Sequence, residues 1–282
     1  MLIYDLKMLK KYYFSKRPFL GPEKATDYNY FGFDFNLESY LEELNQYKGK
    51  FQISKSYSTS YQGKEYFAIE LDWKGSQAKK KMLLTAGMHG NEISGVFAVP
   101  KIVKDIYENP EHYKDWEIKI ISPVNPVGAV LGARCNKDGY DINRDFDRLK
   151  TEEARQITGK FLSYRPDLTI NFHEGPQKGF MILATHRTDR SKLIQLAKRM
   201  DGRVELATKH YLKVPLAIKG LAREGLFLLI IGKLIRAGNF EQIIFKKGHC
   251  SITTENCWQE KDKEKRTTPH FVLFREAIDL FK

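Results

Sequence analysis

TAGMHGNEISG, residues 85–95, decides the reading of this chain. Met82 to Ala86 is a short apolar run with strand character, and Gly87 ends it. His89 and Glu92 follow in the turn, and from Ile93 to Tyr107 the apolar residues recur at helical spacing. In open α/β sheets, ligands gather where strands end and helices begin. A His and a carboxylate three residues apart in such a turn can therefore point into one cleft. Zinc accepts both donor types, and its catalytic sites use three protein ligands and leave a fourth position for water.

His-x-x-Glu on its own is a common pattern, so the reading depends on a third ligand. DLTINFHEG, residues 167–175, supplies one. Leu168 to Phe172 reads as a strand, and Glu174, Gly175 and Pro176 are expected to break it, which leaves His173 at a strand end like His89. The sequence HEGPQ lacks the second His of an H-E-x-x-H helix, so that metalloprotease class is excluded. The candidate metal set is His89, Glu92 and His173, with one zinc ion per chain.

Between the ligands lies NPVGAVLGARCNKDGYDINRDF, residues 125–146, where polar side chains alternate with glycines. That density suits a binding loop better than a core. Arg144 suits a substrate carboxylate through bidentate hydrogen bonds, and Arg134 suits an oxyanion formed on a carbonyl. Asp141 is placed to hold the far nitrogen of a ligating His. CSITTENCW, residues 250–258, then offers Glu255 at the expected end of a further strand, where a carboxylate beside a metal can serve as general base.

Working outward, strands are expected at 51–57 and 66–71 around a Gln62-Gly63 turn, at 117–121 and at 250–254. Helices are expected at 37–47, 152–164, 191–200 and 269–281. The alternation implies an α/β fold: a mixed, mostly parallel sheet with helices on both faces. Residues 1–50 read as a lead-in segment of the same domain, and residues 51–282 as the catalytic domain. With 42% hydrophobic and 29% charged residues over 282 positions, the composition excludes a disordered or fibrous chain.

The net charge of +12 is spread along the chain, without zinc-finger spacing or a basic heptad helix, so no nucleic-acid partner is expected. Three cysteines are too few for a disulfide framework. The N-terminal residues lack an uninterrupted apolar core, and the most apolar run, 225–231, is too short to span a bilayer. The expectation is a cytoplasmic protein without membrane contact. His112, His186, His210, His249 and His270 carry no assigned role and are read as structural or surface residues.

Six pieces in order (HGNE, NPVG, RCN, DINRDF, NFHEG and TTE) make the chain resemble the zinc metallocarboxypeptidase family. The short interval from Glu92 to His173 is most similar to compact bacterial members such as the murein tripeptide amidases. The resemblance implies a sheet of about eight strands, one zinc, a promoted-water mechanism and Glu255 as general base. It also implies that Arg134 serves the oxyanion, and that Asn143 with Arg144 binds a terminal carboxylate. The substrate implied is a peptide or peptide-like molecule with a free carboxylate.

Digestive members of the family carry a gating tyrosine before the general base. GKLIRAGNFEQIIFKKGH, residues 232–249, has none, so their specificity is not implied here. The alternative is an N-acyl amino acid deacylase of the aspartoacylase and succinylglutamate desuccinylase type. That group carries a β-rich region after the base, which the residues beyond Glu255 are not expected to supply. Trimming of acidic protein tails and a non-catalytic binder of anions on the same fold also remain open.

Overall fold

A computed structural model describes residues 32–185, 187–210, 214–223 and 238–282. The 225–231 run, His186, residues 232–237 of the tyrosine-free stretch and most of the lead-in lie outside these. Helix α1 (Leu37–Asn45) opens the described chain. A hairpin follows, β1 (Gln52–Tyr61) and β2 (Lys64–Lys74). Its two-residue turn, Gln62 at φ 50° and Gly63 at φ 76°, has the left-handed geometry that matches strand twist. Then come β3 (Lys80–Ala86), α2 (Ser94–Glu108), β4 (Trp116–Ser122), α3 (Pro126–Leu131) and α4 (Glu152–Tyr164). The chain continues through β5 (Leu168–Gly175), β6 (Met181–Ala184), α5 (Arg190–Met200) and β7 (Leu221–Arg223). It closes with α6 (Phe240–Lys246), β8 (Cys250–Cys257) and α7 (Lys263–Leu280).

Among the described residues, the eight strands form one mixed sheet in the order β1-β2-β4-β3-β5-β8-β6-β7. The centre is parallel, with β4, β3, β5 and β8 side by side, and the β1, β2 and β6 pairings toward the edges include the antiparallel ones. Helices α4 and α6 cover one face: Ile157, Phe161, Phe240 and Ile244 pack with Leu83 and Ile121. Helices α1, α2, α5 and α7 contribute Leu44, Ile102, Leu196 and Phe274 to the larger cluster, which includes Leu84 and Ile170. Strand β5 is buried along its whole length, as a strand covered on both faces must be. Among the described residues, no helix is long and apolar enough to cross a membrane.

Two strands run further than their sequences indicate. β5 continues to Gly175 and β8 to Cys257, so His173 and Glu255 lie within strands and not at their ends. The reason is mutual pairing: His173 stands opposite Glu255, Glu174 opposite Asn256, and Gly175 opposite Cys257. Helix α7 starts at Lys263, six residues before the expected start, because Asp262 caps it by accepting from the Glu264 and Lys265 amides at 2.9 and 3.1 Å. Pro269 therefore sits inside the helix. The short elements α3, α6, β6 and β7 have too few residues to show a period.

The loop after β3 is clamped by α3. Val124 and Asn125 donate to the carbonyls of Ala86 and Gly87 at 2.9 and 2.8 Å. Asn125 also caps α3 by accepting from the Gly128 amide at 2.9 Å. Gly90 lies so close that a Cβ there would stand 1.9 Å from the Gly128 carbonyl carbon. Gly90→Ala should therefore lower unfolding free energy by about 3 kcal/mol. Gly159→Ala, on the open face of α4 with nothing near its Cβ, should raise it by about 0.5–1 kcal/mol. Urea unfolding of both variants checks the contrast.

Candidate metal centre

Three adjacent parallel strands deliver the site. β3 leads into His89 and Glu92, β5 carries His173, and β8 carries Glu255, all toward the carboxyl ends of the strands. The turn is closed by the Glu92 amide donating to the His89 carbonyl at 3.1 Å, and this brings both side chains to one side. Gly95 allows α2 to approach β5, since a Cβ there would meet the Phe172 Cβ at 2.5 Å.

His89, Glu92 and His173 are buried, with one donor atom from each lying within 4.8 Å of the others. The Glu92 carboxylate is shared: Oε1 lies 2.8 Å from His89 Nδ1 and Oε2 lies 2.6 Å from His173 Nδ1. Burial acts to raise the Glu92 carboxyl, but the His89 and His173 rings outweigh it and hold it well below the ordinary range. Burial and Arg134 pull His89 down, yet Glu92 and Asp141 leave it raised. A proton on an imidazole here does what a cation between the three would do.

The donor set suits zinc: two imidazole nitrogens and a carboxylate are the three-protein-ligand set of a catalytic site. The far nitrogens are also held, as in zinc sites generally. Asp141 Oδ1 lies 3.0 Å from His89 Nε2, and Asn171 Nδ2 lies 2.8 Å from His173 Nε2. Asn171 keeps its nitrogen toward this ring, because Nδ2 also donates to the Glu241 carboxylate while Oδ1 accepts from Thr85, so without metal His173 Nε2 accepts and the ring proton lies on Nδ1, toward Glu92. Asn171 is anchored by Thr85 at 2.8 Å and Glu241 at 2.7 Å, and Glu241 also accepts from Thr253 at 2.8 Å.

Arg134 bridges two carboxylates, with Nη1 3.0 Å from Glu92 Oε1 and Nε 3.0 Å from Asp141 Oδ2. Burial works to raise the Asp141 carboxyl, but Arg134, His89 and Arg144 together hold it well below its usual value. Arg144 is half-buried on this side and donates through Nη1 to the Asn143 carbonyl at 2.7 Å. Asn143 is tied down as well, its Oδ1 accepting from the Phe240 amide at 2.9 Å, which leaves its amide nitrogen for other partners. Asn136 shapes the loop before Asp141 by accepting from the Asp138 and Tyr140 amides at 3.1 and 2.9 Å.

Glu255 stands opposite His173 in the β5–β8 ladder. Burial pushes its carboxyl up to about 8; His173 and Arg134 pull it down, while Glu92 and Glu241 push it further up. Gly175 makes room for it, because a Cβ there would lie 2.9 Å from Glu255 Oε2 and 2.4 Å from Gln177 Oε1. Gln177 donates to the Glu255 carbonyl at 2.8 Å.

Asn171, Glu241 and Gln177 carry no expectation from the sequence, and His270 is expected only as a structural or surface residue. Asn171 carried a signal, since it lies two residues before His173 and so on the same face of the strand. Glu241 carried none, because it comes from a short helix far along the chain. His270, left without a role, is fully buried between Phe172 and Phe180, with ring centroids at 4.6 and 5.5 Å.

A family model described as the succinylglutamate desuccinylase/aspartoacylase catalytic domain matches residues 78–210. Carboxypeptidase 2 of Trichophyton rubrum is 25% identical over 155 residues, covering 47% of this chain and 29% of its own length. Murein peptide amidase A of Escherichia coli K12 is 27% identical over 101 residues, covering 35% of this chain and 40% of its own. The chain thus spans well under half of each of these curated relatives. The structure of a candidate metallopeptidase from Shewanella denitrificans OS217 superposes with a TM-score of 0.69 at 15% identity, covering 89% of this chain and 96% of that one. At this identity the likeness is one of fold: the chain shares the architecture of that metallopeptidase structure.

Burial and the Arg266 charge push the His270 imidazole down to about 3. Between that value and the ordinary histidine value of about 6.5, the unfolded chain binds a proton that the folded chain refuses. Stability therefore falls as pH drops through this window, by up to about 1.4 kcal/mol per pH unit from this group. In His270→Asn, measured without metal, this part of the acid slope should be missing. Chemical denaturation from pH 7 to pH 4 checks it.

Proposed function

We propose that this chain is a zinc-dependent hydrolase of the carboxypeptidase type, which cleaves a peptide or peptide-like amide bond close to a free carboxylate. The observation that carries the reading is the buried His89–Glu92–His173 trio with the Glu255 carboxyl paired opposite His173. Zinc bound there supplies positive charge that acidifies a water molecule and polarises a carbonyl.

The chain's own residues supply the rest. Glu255, made more basic by burial, acts in its ionised form: it takes the proton from the attacking water and then passes that proton to the departing nitrogen. Arg144 receives the substrate carboxylate through its planar guanidinium, with the side-chain amide nitrogen of Asn143 as a second donor. Arg134, which holds Glu92 through Nη1 and Asp141 through Nε and Nη2, serves the carbonyl oxygen in this reading. Asp141 and Asn171 fix the ring orientations of the two histidines. The murein peptide amidase and carboxypeptidase relatives support an amide-bond substrate with a free carboxylate.

A second reading has one specific finding in its favour. The family model over residues 78–210 is that of the desuccinylase and aspartoacylase domain, so release of an acyl group from an amino acid is the competing reaction. Both reactions would use the same trio and base, and in both the amino acid's free carboxylate lies on the amine side of the scissile amide; they differ in the acyl side, a peptide in one and a small acyl group in the other.

Purified protein should be incubated with free-carboxyl peptides, murein peptides and N-acyl amino acids, with and without a zinc chelator. Mass spectrometry should show chelator-sensitive loss of a C-terminal residue or cleavage of a murein peptide. Glu255→Gln should lower kcat by about a hundredfold or more while zinc binding is retained. Release of acyl groups alone would move the chain to the deacylase reading. No turnover of any substrate would leave a binder of anions.

A further inference from the structure

Strand alternation sends His173 and Glu255 toward α6, and their neighbours Glu174 and Thr254 toward α7. There Arg266 is fully buried and grips Glu174 in a fork, Nε to Oε1 at 2.5 Å and Nη2 to Oε2 at 2.6 Å. Ser94, two residues after Glu92, hydrogen-bonds to the Glu174 carboxylate and lies 3.0 Å from His270 Nε2. On the other ring nitrogen, His270 Nδ1 lies 2.9 Å from the Thr254 hydroxyl.

Valence sets the direction of this relay. The Glu174 carboxylate can only accept, so Ser94 donates to it. The Ser94 oxygen then accepts from His270 Nε2–H, and Nδ1 accepts from the Thr254 hydroxyl. Asn256, next to Glu255, adds a hydrogen bond to the Arg266 carbonyl. On the site side, the Glu174 amide donates to Glu92 Oε2 at 3.1 Å.

A buried ion pair is a poor source of stability, and apolar side chains of matching volume often do as well or better. This one sits where the segments bearing Glu92, His173 and Glu255 converge. Ser94, Glu174, Thr254 and Asn256 each lie within two positions of one of those residues. We propose that α7, through Arg266 and His270, is a positioning clamp that holds the metal trio and the general base in register from behind the sheet. The clamp residues touch neither metal nor substrate and act through the backbone beside the site. The inference rests on the metal-dependent reading above.

The test compares zinc affinity with the stability of the metal-free protein. Unmodified protein is titrated first, against a chelating dye; failure to bind zinc there would overturn the metal-dependent reading itself. In the double variant Glu174→Leu, Arg266→Met, the metal-free melting temperature should be unchanged or higher. Its zinc affinity should fall by about 10- to 100-fold. Ser94→Ala removes one hydroxyl and leaves the ion pair in place; it should fold normally and lose about tenfold in zinc affinity. Wild-type zinc affinity in Ser94→Ala, or a double variant that cannot fold without metal, would overturn the clamp and make the pair a structural tie.

Discussion

The carboxylate of Glu92 is the constraint on which the rest of the structure depends. A buried anion needs compensation on every side, and here each oxygen faces one imidazole while Arg134 and the Glu174 amide take the remaining directions. To bring those partners together, β3 must lie beside β5, and the turn after β3 must be pressed against α3 closely enough that Gly90 can carry no side chain. The second carboxylate, Asp141, repeats the arrangement one step out, with Arg134 shared between the two. The site is built from charges that cancel locally in a dry setting, where electrostatic interactions are strongest.

The central parallel strands sort polar groups by alternation. Thr169, Asn171 and His173 of β5 share one face, while Leu168, Ile170, Phe172 and Glu174 share the other. The β8 residues Thr253 and Glu255 join the first face, and Thr254 joins the second. One face therefore carries the metal trio and its supports from α6, and the other carries the buried polar relay from α7. The backbone hydrogen bonds of the β5–β8 ladder fix His173 opposite Glu255, so the candidate ligand and the proposed base are set by strand register.

Much of this was legible in the chain. The periodicity of 152–164 matched α4 residue for residue, and the apolar run before Gly87 located β3 and the two ligands behind it. The strand-end reading of His173 and Glu255 fell short because polar residues and a glycine ahead of Pro176 look like a stop. Pairing between β5 and β8 carries both strands past them. Glu174 was read as a strand breaker, yet it is the buried partner of an arginine 92 positions away. Contacts of that separation leave no local signature, and a lone Glu, Arg or His in sequence is most often a surface residue. The candidate ligand set is visible because its residue types are chemically specific; its neighbours are hidden because theirs are not.

X-ray absorption at the zinc edge of the zinc-loaded protein tests the central claim most directly. Zinc at His89, Glu92 and His173 would show a shell of nitrogen and oxygen at about 2.0–2.2 Å, with the outer scattering of two imidazoles and no sulfur. The imidazole signal should fall to one ring in His173→Ala. Sulfur at about 2.3 Å, or an oxygen shell without imidazole, would place the metal elsewhere and contradict the His89–Glu92–His173 centre.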